Sequence, residues 1–372
     1  MDLMGMINLN ESEEYLQELT QHRPLAAIPF GGRYRLLDFV LSNMVNSGIT
    51  NVGILFQHKY RSLIDHLRSA KEWDLARKRD GLVILPPAYS NFSRPVVHGG
   101  DVENFYSNLD YVRYSRQPYV VIAGSAAICN LDYRPVLEYH LGQEADVTAV
   151  YTTENCSRTN CRGAVTLNVD NDGKVMDMQV NPGSFGRQKL SMGMFIMKRE
   201  LLVELIEDCM AHGGYDFVKH CLIRNLEKLR VFGFAHSGYS ARIYSLDSYF
   251  RHSMELLQPA VWQELFFHAG LIYTKIKDEP PCKYTETAKV SNSLIANGCL
   301  IEGTVENSVL FRAVHVDRNV HIKDSIIMQK SQVDKGAVLE HVICDKNVHI
   351  TAGCRLRGVV NYPMVIKKGM VV

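Results

Sequence analysis

Positions 314, 320, 326, 332, 338, 344, 350 and 356 of this chain hold Val, Val, Ile, Gln, Val, Cys, Ile and Leu. Six of the eight are aliphatic at a strict step of six. A helix returns a side chain to one face about every 3.6 residues and a strand every second residue, so neither explains that step. A parallel β-helix does, because each six-residue side of a coil sends one aliphatic side chain inward. Chance clustering in a segment rich in Val and Ile is the alternative. Asn297-Gly298, Glu302-Gly303, Lys335-Gly336 and Ala352-Gly353 offer corners. The step predicts a small left-handed β-helix over residues 286–372.

The first part of the chain has another texture. "NVGILFQ" (51–57), "YVVIAGS" (119–125) and "ADVTAVYT" (145–152) are short apolar runs, separated by helix-like stretches such as "YRPVLEYHLGQEA". Strands alternating with helices predict an α/β domain with a mainly parallel sheet. "LNVDNDGKVMDMQV" (167–180) reads as a hairpin turned at Asn171-Asp172-Gly173. Pro280-Pro281 lies in a stretch without a period, which suggests a linker. The expected organisation is an α/β domain over 1–258, a linker over 259–285 and the β-helix over 286–372.

With 372 residues and a formal net charge of +1, the chain has no global field to draw in nucleic acid or a membrane. It has no apolar stretch of about 20 residues and no basic leader before an apolar run, which points to the cytoplasm. The nine cysteines form no C-x-x-C pair, so they are read as reduced, mostly buried thiols.

"LTQHRPLAAIPFGGRYRLLDFVLSNMVNSGI" (19–49), "SNLDYVRYSRQPYVVIAGS" (107–125), "LSMGMFIM" (190–197) and "YDFVKHCLIRNL" (215–226) follow one another in this chain. In that order they resemble ADP-glucose pyrophosphorylases, the glucose-1-phosphate adenylyltransferases of bacterial glycogen synthesis. The resemblance covers nearly the whole chain and implies a Rossmann-like nucleotidyltransferase domain followed by a left-handed β-helix. It is nearest to the non-catalytic type of subunit that some Gram-positive bacteria make beside the catalytic one.

The departures fall on the chemistry. A catalytic member carries a glycine-rich loop whose backbone N–H groups approach phosphate. Here residues 10–16 are Asn, Glu, Ser, Glu, Glu, Tyr and Leu. A carboxylate about 4 Å from a phosphate charge costs about 4 kcal/mol at an effective dielectric of about 20. Asn10 is instead read as a helix cap, with Glu11, Glu13 and Glu14 in the first turn. The resemblance places two metal-binding carboxylates at Ser125 and Arg242, and a sugar-phosphate lysine at Asn181. The family's Mg²⁺ site is therefore expected to be lost, with no cofactor bound, although Asp101 and Asp132 lie nearby in sequence. Ser191, Met192, Gly193 and Asp216 survive as vestigial substrate-side residues, or as scaffold.

Gly31-Gly32 with Arg23, Arg33 and Arg35 suits an anion such as a phosphorylated effector, although Leu25 replaces the family's effector lysine. Salt-bridge roles for these arginines are the alternative. The resulting expectation is a catalytically silent subunit that joins a catalytic ADP-glucose pyrophosphorylase subunit in a heterotetramer, binding neither nucleic acid nor membrane. The rivals are a degenerate but working nucleotidyltransferase and a hexapeptide-repeat acyltransferase using His315, His321, His341 or His349.

Overall fold

The computed structural model describes residues 1–56, 58–86, 100–157, 161–180, 186–360 and 362–372. Among these, nine strands form one sheet: β1 (Leu3–Asn8), β2 (Asn51–Leu55), β3 (Gly81–Leu85), β4 (Tyr119–Ala123), β5 (Val147–Cys156), β6 (Val165–Val169), β7 (Val175–Val180), β8 (Gly186–Lys198) and β9 (Val231–Ala235). The order runs β7-β6-β8-β4-β1-β2-β3, with β5 pairing β8 and β9. Strands β4, β1, β2 and β3 are mutually parallel; β1, β2 and β4 are buried on both faces, as their apolar runs require, while β3 at the edge leaves Ile84 exposed. The long β8 runs antiparallel to β4, β5 and β6, so the sheet is mixed rather than mainly parallel. The hairpin turned at Asn171-Asp172-Gly173 is present as β6 and β7.

Residues 9–16 do not form the helix start expected at Asn10. Regular helix begins only at Gln17–Thr20. Two acids of this segment, Glu11 and Glu13, are held by tertiary partners instead of by helical N–H groups. Glu13 accepts from the Leu25 amide at 3.0 Å and pairs with Lys59 at 2.7 Å, while Glu11 turns inward.

The β-helix is three five-stranded parallel sheets, with its strands beginning at Lys283–Tyr284. Paired positions such as Leu300, His315, Gln332 and His349 show coils of 15 and 17 residues. A 17-residue coil falls one short of three sixes, so a strict step of six drifts out of register. Val314 and Val320 pack in the interior as expected, but Ile326 turns outward into the core shared with the α/β domain, Gln332 is exposed and Val333 takes the interior position. Corners also differ: Asn292, Asn307, Asp324 and His341 stack in the left-handed region, with φ between 40° and 53°. Asn and Asp tolerate that region better than other non-glycine residues. Ser293, Ser308 and Ser325 follow three of these corners, and each hydroxyl accepts a backbone N–H from the next coil at 3.1 Å.

The two domains share a core. Phe30, Tyr34 and Phe39, together with Phe266 of helix α1 (Pro259–Phe267), pack with Val309, Phe311, Ile326, Met328 and Ile343 of the β-helix. Residues 259–267 are thus a helix, and irregular chain runs only from there to Lys283.

Candidate functional site

A cleft of about 630 Å³ opens beside the C-terminal ends of β1 and β4. Strand β4 ends at Ala123, and the chain then turns through Gly124 and Ser125 beneath residues 9–16. Glu11 is half-buried and directs its carboxylate at this turn. Its Oε1 accepts from the Ser125 backbone N–H, from Ser125 Oγ at 2.9 Å and from the Ala126 N–H at 3.1 Å. Burial raises the Glu11 pKa above the ordinary carboxylate value, and the donors of Ser125 and Ala126 oppose that rise.

The far wall carries the surviving substrate-side residues. Ser191, Met192, Gly193 and Asp216 all line the cleft, together with Ser12, Asp101 and Arg242. The register of β8 against β5 shifts between Ser191 and Met194, which bulges Met192 and Gly193 from the ladder. The Ser191 hydroxyl accepts from the Gly193 N–H at 3.2 Å. Asp216 accepts from the Lys219 N–H at 2.9 Å, and its carboxylate also pairs with the Lys219 ammonium at 3.2 Å. Asn181 lies outside the described residues.

Arg242 sits on the short strand Ser240–Arg242, which pairs with Ala127–Cys129. Its guanidinium lies 4.8 Å from the centre of the Tyr244 ring and donates to the Arg162 carbonyl at 2.9 Å. Arg162 in turn lies over Tyr15 at 5.0 Å. These stacks hold a cation in the wall where the resemblance places an acid.

The donor set does not fit a magnesium ion. Among the described residues no three His, Cys, Asp or Glu side chains converge to hold a metal. Ser125 offers a hydroxyl that is engaged with Glu11, and Arg242 repels a cation. Asp132 caps the helix Tyr133–Gly142 and pairs with Arg134. Asp101 is buried, accepting from the Phe217 N–H at 2.8 Å and from Asn8 Nδ2 at 2.5 Å.

The three arginines near Gly31-Gly32 do not belong to this cleft, nor do they form one cradle. Both glycines are buried, and a side chain on Gly32 would meet Ala296 and Leu310 of the β-helix. Arg23 forms a buried ion pair with Asp345, joining the two domains. Arg35 donates to the Ser62 carbonyl at 2.6 Å, and Arg33 is exposed above Tyr34. Burial comes first in pulling Arg35 down to about 10, with Arg23 contributing. Lys346 beside them is pulled down to about 6, first by burial, then by Arg35 and Arg23. Sequence reasoning missed Glu11, Asp345 and Lys346 as site residues. The one signal for Glu11 was the absence of an apolar period between Asn10 and Tyr15, which argues against a buried helical face there.

The cysteines are not all the reduced thiols that their spacing suggests. Cys156 and Cys161 are joined in a disulfide, because the end of β5 and the following turn bring their Cα atoms to 5.5 Å. The other seven are free.

A nucleotidyl transferase family model matches residues 14–256, and a model for the GlmU-like C-terminal hexapeptide region matches residues 280–359. The glycogen biosynthesis protein GlgD of Bacillus subtilis (strain 168) is 40% identical over 99% of this chain and 96% of its own length. The protein of the same name from Geobacillus stearothermophilus is 42% identical over 99% and 97%. The glucose-1-phosphate adenylyltransferase of Fervidobacterium nodosum is 31% identical over 95% and 85%. The chain therefore belongs to the nucleotidyl transferase family, in a group of relatives that includes GlgD-type glycogen biosynthesis proteins and glucose-1-phosphate adenylyltransferases.

Proposed function

We propose that this chain is a catalytically silent, regulatory subunit in glycogen synthesis, acting in the cytoplasm. It would pair with a catalytic glucose-1-phosphate adenylyltransferase subunit, which makes ADP-glucose and diphosphate from ATP and glucose 1-phosphate. The observation that carries this reading is Arg242, a guanidinium fixed over Tyr244 in the wall of the cleft. Adenylyl transfer in this family needs a divalent cation to relieve repulsion between phosphate groups. A cation at one expected ligand position and a hydroxyl at the other, Ser125, leave that need unmet.

A silent chain changes its partner's activity only by binding the partner's conformations with different affinity. The shared core between the α/β domain and the β-helix supports such a role, since it lets a contact on either domain bear on the other. The reading extends to a phosphorylated metabolite bound near Arg23. Arg23 Nη1 is buried without a hydrogen-bond partner among the described groups, and Arg35 adds positive charge beside it.

Co-expression with a catalytic relative tests the proposal. The pair should co-elute as a heterotetramer and form ADP-glucose faster per catalytic subunit than the catalytic chain alone. Separate elution with unchanged rates would contradict it.

A further inference from the structure

The order of the sheet reverses around β1: β2 and β3 lie to one side of it, and β4 and β8 to the other. Open α/β sheets take their ligands in the crevice at such a point, where loops from the strand ends diverge. The loop after β4 presents three donors there, the N–H groups of Ser125 and Ala126 and the Ser125 hydroxyl. All three converge on one oxygen, Glu11 Oε1. Gly124 makes the approach possible, since a Cβ at that position would lie 2.9 Å from the same oxygen.

We propose that Ser125 and Ala126 form an anion-binding site for a phosphate-like oxyanion, and that Glu11 occupies it from within the chain and keeps it closed. Adjacent backbone amides with a hydroxyl are a donor set suited to a phosphoryl oxygen. Glu11 opposes an external anion by taking the donors, and when ionised its charge also repels the newcomer. Being tethered three residues beyond the end of β1, it competes at the high effective concentration of an intramolecular ligand. Its raised pKa is compatible with this role, because a carboxyl group accepts at Oε1 in either protonation state. The inference rests on the reading that the cleft no longer performs adenylyl transfer, and it explains how the chain avoids trapping nucleotide there without turnover.

Isothermal titration with inorganic phosphate, and separately with ATP free of magnesium, tests it on the full chain. Glu11→Ala should bind phosphate at least about tenfold more tightly than the wild type, the gain expected from freeing even one charge-assisted hydrogen bond. A folded Glu11→Ala chain that binds phosphate no better, or a wild type that binds it equally well, overturns the assignment. Should Glu11→Ala fail to fold, hydrogen exchange of the wild type decides. The Ser125 and Ala126 amides should exchange slowly, with no change when ATP is added. Rapid exchange, or protection that changes with ATP, overturns the assignment as well. Turnover by the unmodified chain would sink the silent-subunit reading instead, so the two failures are distinguishable.

Discussion

Replacing Asp345 with Ala is expected to cost about 3–5 kcal/mol of folding stability, because it leaves Arg23 charged and unpaired where water does not reach. The two side chains expose only 6% and 2% of their surfaces. Asp345 is also the acid that opposes the downward pull on the Lys346 pKa from burial, Arg35 and Arg23. Its loss therefore leaves Arg23, beside Arg35, without the acid that balanced it. An exposed ion pair is worth at most about 1 kcal/mol, so the two cases are well separated. Urea unfolding of the wild type, Asp345→Ala and the double variant Arg23→Leu/Asp345→Leu measures the difference. The double variant should recover most of the loss, since replacing a buried pair by apolar groups is often neutral. A cost below about 1 kcal/mol for Asp345→Ala, or a double variant no more stable than the single, would refute the interdomain lock.

Lys346 gives the pH dependence. Its pKa falls from 10.5 to about 6 on folding, so between those values the unfolded chain holds the extra proton. Stability should rise with pH across that window, and Lys346→Met should flatten the rise in urea titrations repeated at several pH values. Ser125→Asp should not restore ADP-glucose formation, because Arg242 and the residue 10–16 loop remain; recovery of turnover by that change alone would show that one ligand was all that was missing. A chain ending near Pro281 should aggregate, since it uncovers Phe30, Tyr34 and Phe266, which size-exclusion chromatography would reveal. In denaturant without reductant seven thiols should react with a thiol reagent, and nine after reduction.

The fold was legible where one physical rule governed a long stretch. The step of six located the β-helix, and the buried apolar runs located β2, β4 and β5. The rule failed where coil length slipped from three sixes to 17 residues, which put Val333 rather than Gln332 inside. The place of β8 was also hidden, because "LSMGMFIM" is apolar apart from Ser191 and does not state which neighbour it pairs with or in which direction. At the cleft, the identity of Ser191 and Asp216 as lining residues followed from motif order. The inward turn of Glu11 did not, since an acid-rich segment after a strand is equally compatible with a helix start. The Arg23–Asp345 pair spans 322 positions, and no local pattern announces such a contact.

The central claim is that the cleft is chemically silent. Its most direct measurement is ADP-glucose formation from ATP, glucose 1-phosphate and magnesium by the isolated chain, free of any catalytic subunit. No turnover is expected at any magnesium concentration, because Ser125 and Arg242 provide no ligand set for the ion. Sustained turnover that scales with the amount of this chain, and disappears in Arg242→Ala or Ser125→Ala variants, would contradict it.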